Sequence, residues 1–405
     1  MTSKNKKNLS KKTRRNLIIA FIAAVLLITV ISVILYLRKK ENDRSVRIAF
    51  CGISQELSEI IEKEIPEIDG IKINYSYLNK DDIDLGVVSE KFDLLFTWSG
   101  EISDTLGKFS EDIPGKFLQT VPTSLRNKKQ YPIMLDHYEM AFYSPVSQNY
   151  QLDFPETWDD LTAYLKEASK HVFTPFICEG SNDRTLLSLL GTIIEARGGL
   201  ESYQKFIDSL KESDKLEDIL EVELGSVEEG KLTLKSVLEM LKQWADEGLV
   251  HPLWYIATRN DILYFMEDKQ IAVLFDSLTE HRTIPYSIIK DYESMRVPAD
   301  YSRNHGVISP AVVCLQLSNN LNNDDLIKPF TMEEVQGRLS MLSKLGPTQY
   351  RAESYDRQAD DVRFWAASCK YGALPDISLA VYQRNSEGMK NFAAEIRAYY
   401  KSISR

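Results

Sequence analysis

Apolar residues recur along the chain in two periods, and these periods predict strands that alternate with helices. Strand-like runs lie at residues 46–50, 71–77, 92–96 and 271–275. Helical spacing of apolar residues predicts helices at residues 57–61, 186–194, 234–245 and 389–400, the second of them ended by Gly198 and Gly199. Strands separated by helices are typical of an α/β protein with a parallel sheet covered on both faces.

The segment 131–170 combines a long apolar strand, a Pro-Glu-Thr-Trp corner and an amphipathic helix. Thr157 and Asp160 form a capping-box-like start for that helix. The helix places Leu161 and Leu165 on one face. Such a unit predicts a chain that passes from one lobe to another.

The N-terminal segment predicts that the α/β part of the chain is anchored to a membrane. Residues 1–16 carry seven basic side chains and no acid, and residues 17–37 are a run of 21 residues without a charge, closed by Arg38. This length matches the bilayer core, and the basic tail favours a cytoplasmic N-terminus. The basic end of the run favours an uncleaved signal anchor over a cleaved signal peptide. Cys51 lies too far beyond the run to be a lipidation site.

Charge excludes nucleic acid as a partner of the remaining chain. All 59 acidic residues but only 39 of the 49 basic ones follow residue 40, which gives that part a formal charge of −20. Phosphate binding relies on clustered lysines and arginines.

Four cysteines lie at positions 51, 178, 314 and 369. No two of them form a CxxC motif, so the sequence predicts no structural metal site. Outside the cytoplasm they could form up to two disulfides. The apolar neighbours of Cys51 and Cys314 favour buried free thiols instead.

Catalytic motifs are absent from the sequence: it has no HExxH, GxSxG, Walker A or GxGxxG pattern. The five histidines are isolated in sequence. We therefore predict a protein that is not an enzyme and has no cofactor, and we rank an extracytoplasmic glycosidase last because no pair of catalytic carboxylates stands out in the sequence.

The residues that follow the predicted strands are the first places to seek a site, because ligands on parallel sheets bind beyond the carboxyl ends of strands. Residues 51–54 and 97–101 occupy such positions.

Six segments carry a family resemblance. They are PIMLDHYEMAFYSP (132–145), FPETWDDLTAYLKEA (154–168), TPFICEG (174–180), LKSVLEMLKQWADEGLVHP (234–252), DILYFMEDKQIAVLFDS (261–277) and MEEVQGRLSMLSKLGPTQYRAE (332–353). Together they resemble the extracellular solute-binding proteins of ABC importers, in the branch that includes maltose- and other sugar-binding proteins. The similarity spans residues 46–353 and is strongest over 131–277.

The resemblance implies a periplasmic-binding-protein-like fold, in which two α/β lobes are joined by crossing segments and a hinge motion closes the cleft on a ligand. We expect residues 46–142 with 268–312 in the first lobe, and 143–267 with 313–405 in the second. Residues 131–170 then contain the first crossing.

A sugar cleft needs aromatic platforms flanked by carboxylates and amides, because sugars combine apolar faces with many hydroxyls. The expected ligand contacts are Trp98, Glu101, Asp136, Tyr138, Glu179, Ser181, Asn182, Asp276, Ser277 and Trp365. Trp98 aligns with an aromatic position of the family's first lobe. Trp365 is expected either as a platform from the second lobe or as a core residue.

These expectations describe a single-pass protein of the cytoplasmic membrane whose bulk lies outside the cytoplasm. It would capture a small polar ligand, a saccharide in this interpretation, and pass it to ABC permease subunits. The alternative is a sensing or structural interaction module that uses the same fold with a vestigial or non-sugar cleft.

Overall fold

Two mixed β-sheets organise the chain, and each forms the centre of one lobe. The computed structural model describes residues 26–30, 32–33, 45–213, 215–228, 230–300, 308–318, 323–369, 372–381 and 386–404. One apolar core gathers side chains from residues 46–135 and 311–369, which we name the first lobe. The other core gathers side chains from residues 138–275, 284–308 and 377–400, which we name the second lobe.

The first lobe is built on a six-stranded sheet with the order β12-β4-β11-β3-β1-β2. Its strands are β1 (Ser45–Cys51), β2 (Lys72–Leu78), β3 (Leu94–Trp98), β4 (Tyr131–Leu135), β11 (Ala311–Gln316) and β12 (Gly346–Pro347). Its helices are α1 (Gln55–Glu62), α2 (Leu85–Lys91), α3 (Glu101–Gly107), α4 (Gly115–Leu118), α13 (Asn323–Ile327), α14 (Glu333–Ser343) and α15 (Arg357–Ser368). Short 3-10 turns lie at Lys80–Asp82, Thr123–Leu125 and Lys328–Thr331. Strands β1, β2 and β3 are parallel, whereas β11 runs antiparallel to β3 and β4.

The second lobe is built on a four-stranded sheet with the order β10-β5-β9-β6 and a separate hairpin, β7-β8. Its strands are β5 (Tyr138–Tyr143), β6 (Thr174–Cys178), β7 (Gly225–Val227), β8 (Gly230–Leu232), β9 (Ile271–Ser277) and β10 (Tyr292–Met295). Its helices are α5 (Ser144–Tyr150), α6 (Trp158–Ala168), α7 (Asp183–Glu212), α8 (Leu216–Leu220), α9 (Leu234–Asp246), α10 (Arg259–Glu267), α12 (Tyr286–Ile289), α16 (Ile377–Ala380) and α17 (Ser386–Ile403), with a 3-10 turn at Trp254–Ile256. Helix α11 (Leu278–His281) lies between the lobes, because Leu278 packs in the core of the first.

The predicted crossing within residues 131–170 is confirmed, but two strands replace the single long strand. Strand β4 pairs in the first sheet and β5 in the second, and Asp136 and His137 join them. Apolar residues dominate on both sides of the crossing because both strands are buried on both faces. The predicted capping box of the following helix is also confirmed, since Thr157 Oγ1 accepts a hydrogen bond from Asp160 N at 3.1 Å.

The expected composition of the lobes is wrong for the later part of the chain. Residues 268–312 were expected in the first lobe, yet β9 and β10 pair with β5 of the second sheet. Residues 313–405 were expected in the second lobe, yet β11 and α15 belong to the first. The chain passes between the lobes again at residues 308–310 and between Cys369 and Ile377. An apolar run predicts a buried strand, but its sheet is decided by pairing with distant strands.

Helix α7 kinks where the sequence predicted a stop. Gly199 has a φ of 77° inside the helix, a left-handed conformation that glycine adopts without steric cost, and the helix then resumes as far as Glu212. The prediction of buried cysteines is confirmed, because all four cysteine side chains lie in the interior of the lobes.

The predicted anchor at residues 17–37 lies mostly outside the described residues. Of that segment the structure describes 26–30 and 32–33, which are helical and carry exposed side chains. Within the described ranges no helix combines the length and apolarity that a membrane span needs.

Candidate ligand-binding cleft

The carboxyl ends of several strands meet at one edge of each sheet, and the crossing segments join these edges. In the first lobe the strand pairing sets Trp98 beside Val312 and Val312 beside Met134. Neighbouring strands lie about 4.8 Å apart, so the backbones of β3 and β4 are about 10 Å apart at this edge. In the second lobe Tyr138 stands opposite Ser277 at the edge that faces the crossing. Most of the predicted site residues therefore belong to two facing edges.

Trp98 ends β3 and remains partly exposed at the edge of the first lobe. The guanidinium carbon of Arg184, from the second lobe, lies 5.9 Å from the centre of its indole ring, within the range of a cation–π contact. Nε of Arg184 donates to Oδ2 of the fully buried Asp376 at 2.8 Å. Burial disfavours the charged form of Arg184, but Asp376 overcomes this effect, so the pKa of Arg184 is raised. Sequence reasoning missed Arg184.

Glu101 begins α3, three residues after Trp98, and it also reaches the second lobe. Its Oε1 lies 3.4 Å from Nζ of Lys211. Beside it Gly100 has a φ of 144°, and a methyl group there would collide with the carbonyl oxygen of Leu379. The two lobes are thus in direct contact at Gly100, and this close approach requires glycine.

Glu179 and Asp276 are brought together by an arginine that sequence reasoning did not select. Arg259, the first residue of α10, places Nε 3.0 Å from Glu179 Oε2 and Nη1 2.7 Å from Asp276 Oδ2. Its Nη2 lies 3.0 Å from Glu280 Oε2. Burial raises the pKa of Asp276 to about 6, although Arg259 opposes the shift. We name Arg259 and these three carboxylates the Arg259 cluster.

Asp136, Tyr138 and Ser277 form part of the hinge. Asp136 is 1% exposed and accepts hydrogen bonds from the backbone N and Oγ1 of Thr279 at 3.1 and 2.8 Å. Tyr138 is 2% exposed and its ring stacks on Phe275 with centres 5.6 Å apart. Ser277 Oγ caps α11 by accepting from Glu280 N at 3.1 Å. In this conformation these side chains bind the crossing segments to one another.

The predicted loop from Glu179 to Asn182 is fixed by Arg397 of α17, another residue that sequence reasoning missed. Nε and Nη2 of Arg397 donate to the carbonyl oxygen of Gly180 at 2.9 and 2.7 Å, and Nη1 donates to Asp183 at 2.6 Å. Ser181 is exposed on this loop. Asn182 caps α7 through its side-chain oxygen, which accepts from Arg184 N at 3.0 Å. The loop therefore presents its side chains from a rigid backbone.

Trp365 lies on α15 of the first lobe, which corrects its expected place in the second. It is partly buried against the core of that lobe, and its ring centre lies 4.9 Å from that of His137 in the crossing. Nδ1 of the fully buried His137 lies 2.6 Å from Ser309 Oγ. Burial lowers the pKa of His137 to about 4. Trp365 thus packs against the hinge.

Among the comparisons with known proteins, the one with solved structures identifies the architecture. No protein-family model matches the chain, and no curated protein matches it. Among solved structures it is similar to the putative binding protein msme of Bacillus subtilis in an open conformation, with a TM-score of 0.66, 16% identity, and 89% of this chain and 94% of that chain covered. The chain has the two-lobe fold of solute-binding proteins.

Two further structures extend this similarity to proteins described with sugars. The bacterial solute receptor AcbH, described with an exclusive preference for β-D-galactopyranose, gives a TM-score of 0.64 with 9% identity over 89% of this chain and 98% of that chain. A Bacillus licheniformis sugar transporter protein in complex with stachyose gives 0.57 with 15% identity over 89% of this chain and 97% of that chain. At these identities the likeness establishes the fold.

Proposed function

We propose that the chain is an extracytoplasmic solute-binding protein that captures a saccharide between its lobes and delivers it to an ABC importer. The observation that carries the proposal is the partly exposed ring of Trp98 at the edge of the first lobe, together with the accessible Ser181 and Asn182 of the loop that leads to Arg184, whose guanidinium lies 5.9 Å from that ring. An aromatic face opposite hydroxyl and amide groups suits a sugar, which offers C–H faces and hydroxyls together. The neighbours described with galactopyranose and stachyose support the same ligand class.

A thermal-shift panel tests the proposal. The full chain is heated with galactose, stachyose, short peptides or phosphate, each at saturating concentration. Binding to the folded state alone raises the melting temperature by mass action. We expect a rise with at least one sugar, and its loss in Trp98→Ala. A panel without any sugar-dependent rise would contradict sugar capture.

We further propose that residues 17–37 tether the protein to the cytoplasmic membrane with its N-terminus inside. The uncharged run of 21 residues and the basic tail before it support this arrangement. The tethered chain is expected to stay in the membrane pellet after an alkaline carbonate wash, and external protease should degrade its bulk. Release into the soluble fraction would contradict the tether.

A second candidate function is a sensing or interaction module that uses this fold. Direct contacts between the lobes favour it, because Glu101 pairs with Lys211 and Gly100 packs on Leu379. Such a module would retain a protein partner after Trp98→Ala. A solute-binding protein would lose its sugar response in the same variant.

A further inference from the structure

The cations of the second-lobe edge are already engaged by carboxylates and carbonyls, which bears on the charge of the ligand. All three types of guanidinium nitrogen in Arg259 face carboxylate oxygens, at 3.0 Å from Glu179, 2.7 Å from Asp276 and 3.0 Å from Glu280. Proteins usually recognise carboxylates and phosphates by bidentate hydrogen bonds from arginine. Arg259 retains no edge for such a contact.

The other cations at this edge are neutralised in the same way. Arg397 directs Nη1 to Asp183, and its remaining nitrogens to backbone carbonyls. Arg184 turns Nε and Nη2 toward the buried Asp376, and Asp136 adds a second carboxylate nearby. An anionic ligand would therefore meet guanidinium groups whose charge is already paired with carboxylates.

Carboxylates exceed cations where the edge is accessible. The Arg259 cluster holds three carboxylates for one guanidinium, and the side chains of Glu179 and Glu280 are 15% and 37% exposed. Each ionised carboxylate has two oxygens that accept several hydrogen bonds and donate none. The edge thus offers acceptors in excess. Ligand hydroxyls can donate to them, whereas a ligand carboxylate or phosphate cannot.

We propose that the cleft is specific for uncharged saccharides and rejects uronic acids and sugar phosphates. The inference rests on the proposed function and adds the charge class of the ligand. Like charges that face one another across a partly desolvated cleft repel, and rejection of this kind is a common source of specificity. Lys80, beside Gly52 on the first lobe, does not reverse the balance because Asp81 and Asp82 follow it in the same turn.

Matched pairs of sugars test the inference. Galactose and galacturonate, and glucose and glucuronate, differ by one carboxylate and are titrated calorimetrically into the full chain at low salt. We expect the neutral member of a pair to bind at least about tenfold more tightly, since one excess charge in a partly desolvated site has this effect. Higher salt should narrow the ratio, because screening weakens the repulsion.

Two glutamate variants test whether the preference for neutral over anionic sugars arises at the Arg259 cluster. Glu280→Gln removes one exposed carboxylate of the Arg259 cluster. The ratio of the affinities for the neutral and the anionic sugar should therefore fall several-fold. Glu90→Gln, an exposed position on α2 at the opposite end of the first lobe, should leave the ratio unchanged. Equal or tighter binding of a uronate by the unmodified chain would overturn the inference and leave sugar capture intact. Binding of no member of either pair, together with a thermal-shift panel that shows no rise with any sugar, would overturn the proposed function and the inference with it.

Discussion

The two edges of the cleft differ in chemistry. The edge of the first lobe offers the partly exposed ring of Trp98, whereas that of the second is dominated by arginines joined to carboxylates. An aromatic face contributes area and orientation, and a fixed acceptor array contributes hydrogen bonds. In the function we propose, neither lobe alone therefore supplies both kinds of contact. Ligand binding and lobe closure should therefore be coupled.

The Arg259 cluster gives the largest expected effect on stability. Arg259→Met would leave three carboxylates facing one another, and loss of one partner from a largely buried ion network costs about 3–5 kcal/mol. Urea unfolding of the full chain measures the change. Arg259→Lys retains the charge without the planar fork, so its free energy of unfolding should lie between that of the unmodified chain and that of Arg259→Met. A loss below about 1 kcal/mol in Arg259→Met would contradict the role we give the cluster.

The burial of His137 at the hinge predicts that the fold loses stability in acid. The pKa of His137 is lowered by burial to about 4 from an ordinary value of 6.5. Because the pKa of His137 is lower in the folded state than in the unfolded state, the neutral imidazole contributes its full stability above pH 6.5. This contribution to the free energy of unfolding is lost as the pH drops toward 4. The loss amounts to roughly 3 kcal/mol. Unfolding free energies between pH 7 and 4 should fall more steeply for the unmodified chain than for His137→Gln.

The pKa of Asp276 is raised instead, to about 6, so it acts in the opposite direction. Its contribution is present below about pH 4 and is lost as the pH rises through 6. The comparison with His137→Gln isolates the histidine because both chains retain Asp276. Identical slopes for the two chains would contradict the burial of a neutral imidazole at the hinge.

Gly100 tests the contact between the two edges. Gly100→Ala introduces a methyl group against Leu379 O at a φ of 144°, and we expect a loss of about 2 kcal/mol together with a wider separation of the lobes. Gly70→Ala is the matched control, since Gly70 has a φ of 76° but no atom near its added methyl group. Unfolding and small-angle scattering should show lobe separation in Gly100→Ala alone. Equal losses and unchanged scattering would contradict the contact.

The ion pair between Glu101 and Lys211 should give the smallest effect. The side chain of Lys211 is 30% exposed, and pairs of this kind contribute about 0.2–1 kcal/mol. Lys211→Met is compared by urea unfolding with Lys215→Met, an exposed position on the same lobe. A difference above about 1 kcal/mol would show that the pair fastens the lobes more firmly than its exposure implies.

Sequence patterns predicted most elements of the fold because strand and helix periods are local. They did not predict the sheet of β9, since pairing with β5 joins residues more than 100 positions apart. Trp98 and Glu179 were predicted as site residues from their positions after strands, by a topological rule. Arg184, Arg259 and Arg397 were missed because an arginine on a helix looks like a solvated residue until its distant carboxylate is known.

Calorimetric titration of the full chain with galactose and stachyose tests the central claim most directly. Trp98→Ala is titrated in parallel, with Phe173→Ala as a control because that ring is exposed beside the opposite end of β6. The account predicts saturable binding of at least one sugar that is kept in Phe173→Ala and weakened at least about tenfold in Trp98→Ala, as expected when a stacking aromatic face is removed. Sugar binding that survives unchanged in Trp98→Ala, or no binding by the unmodified chain, would contradict it.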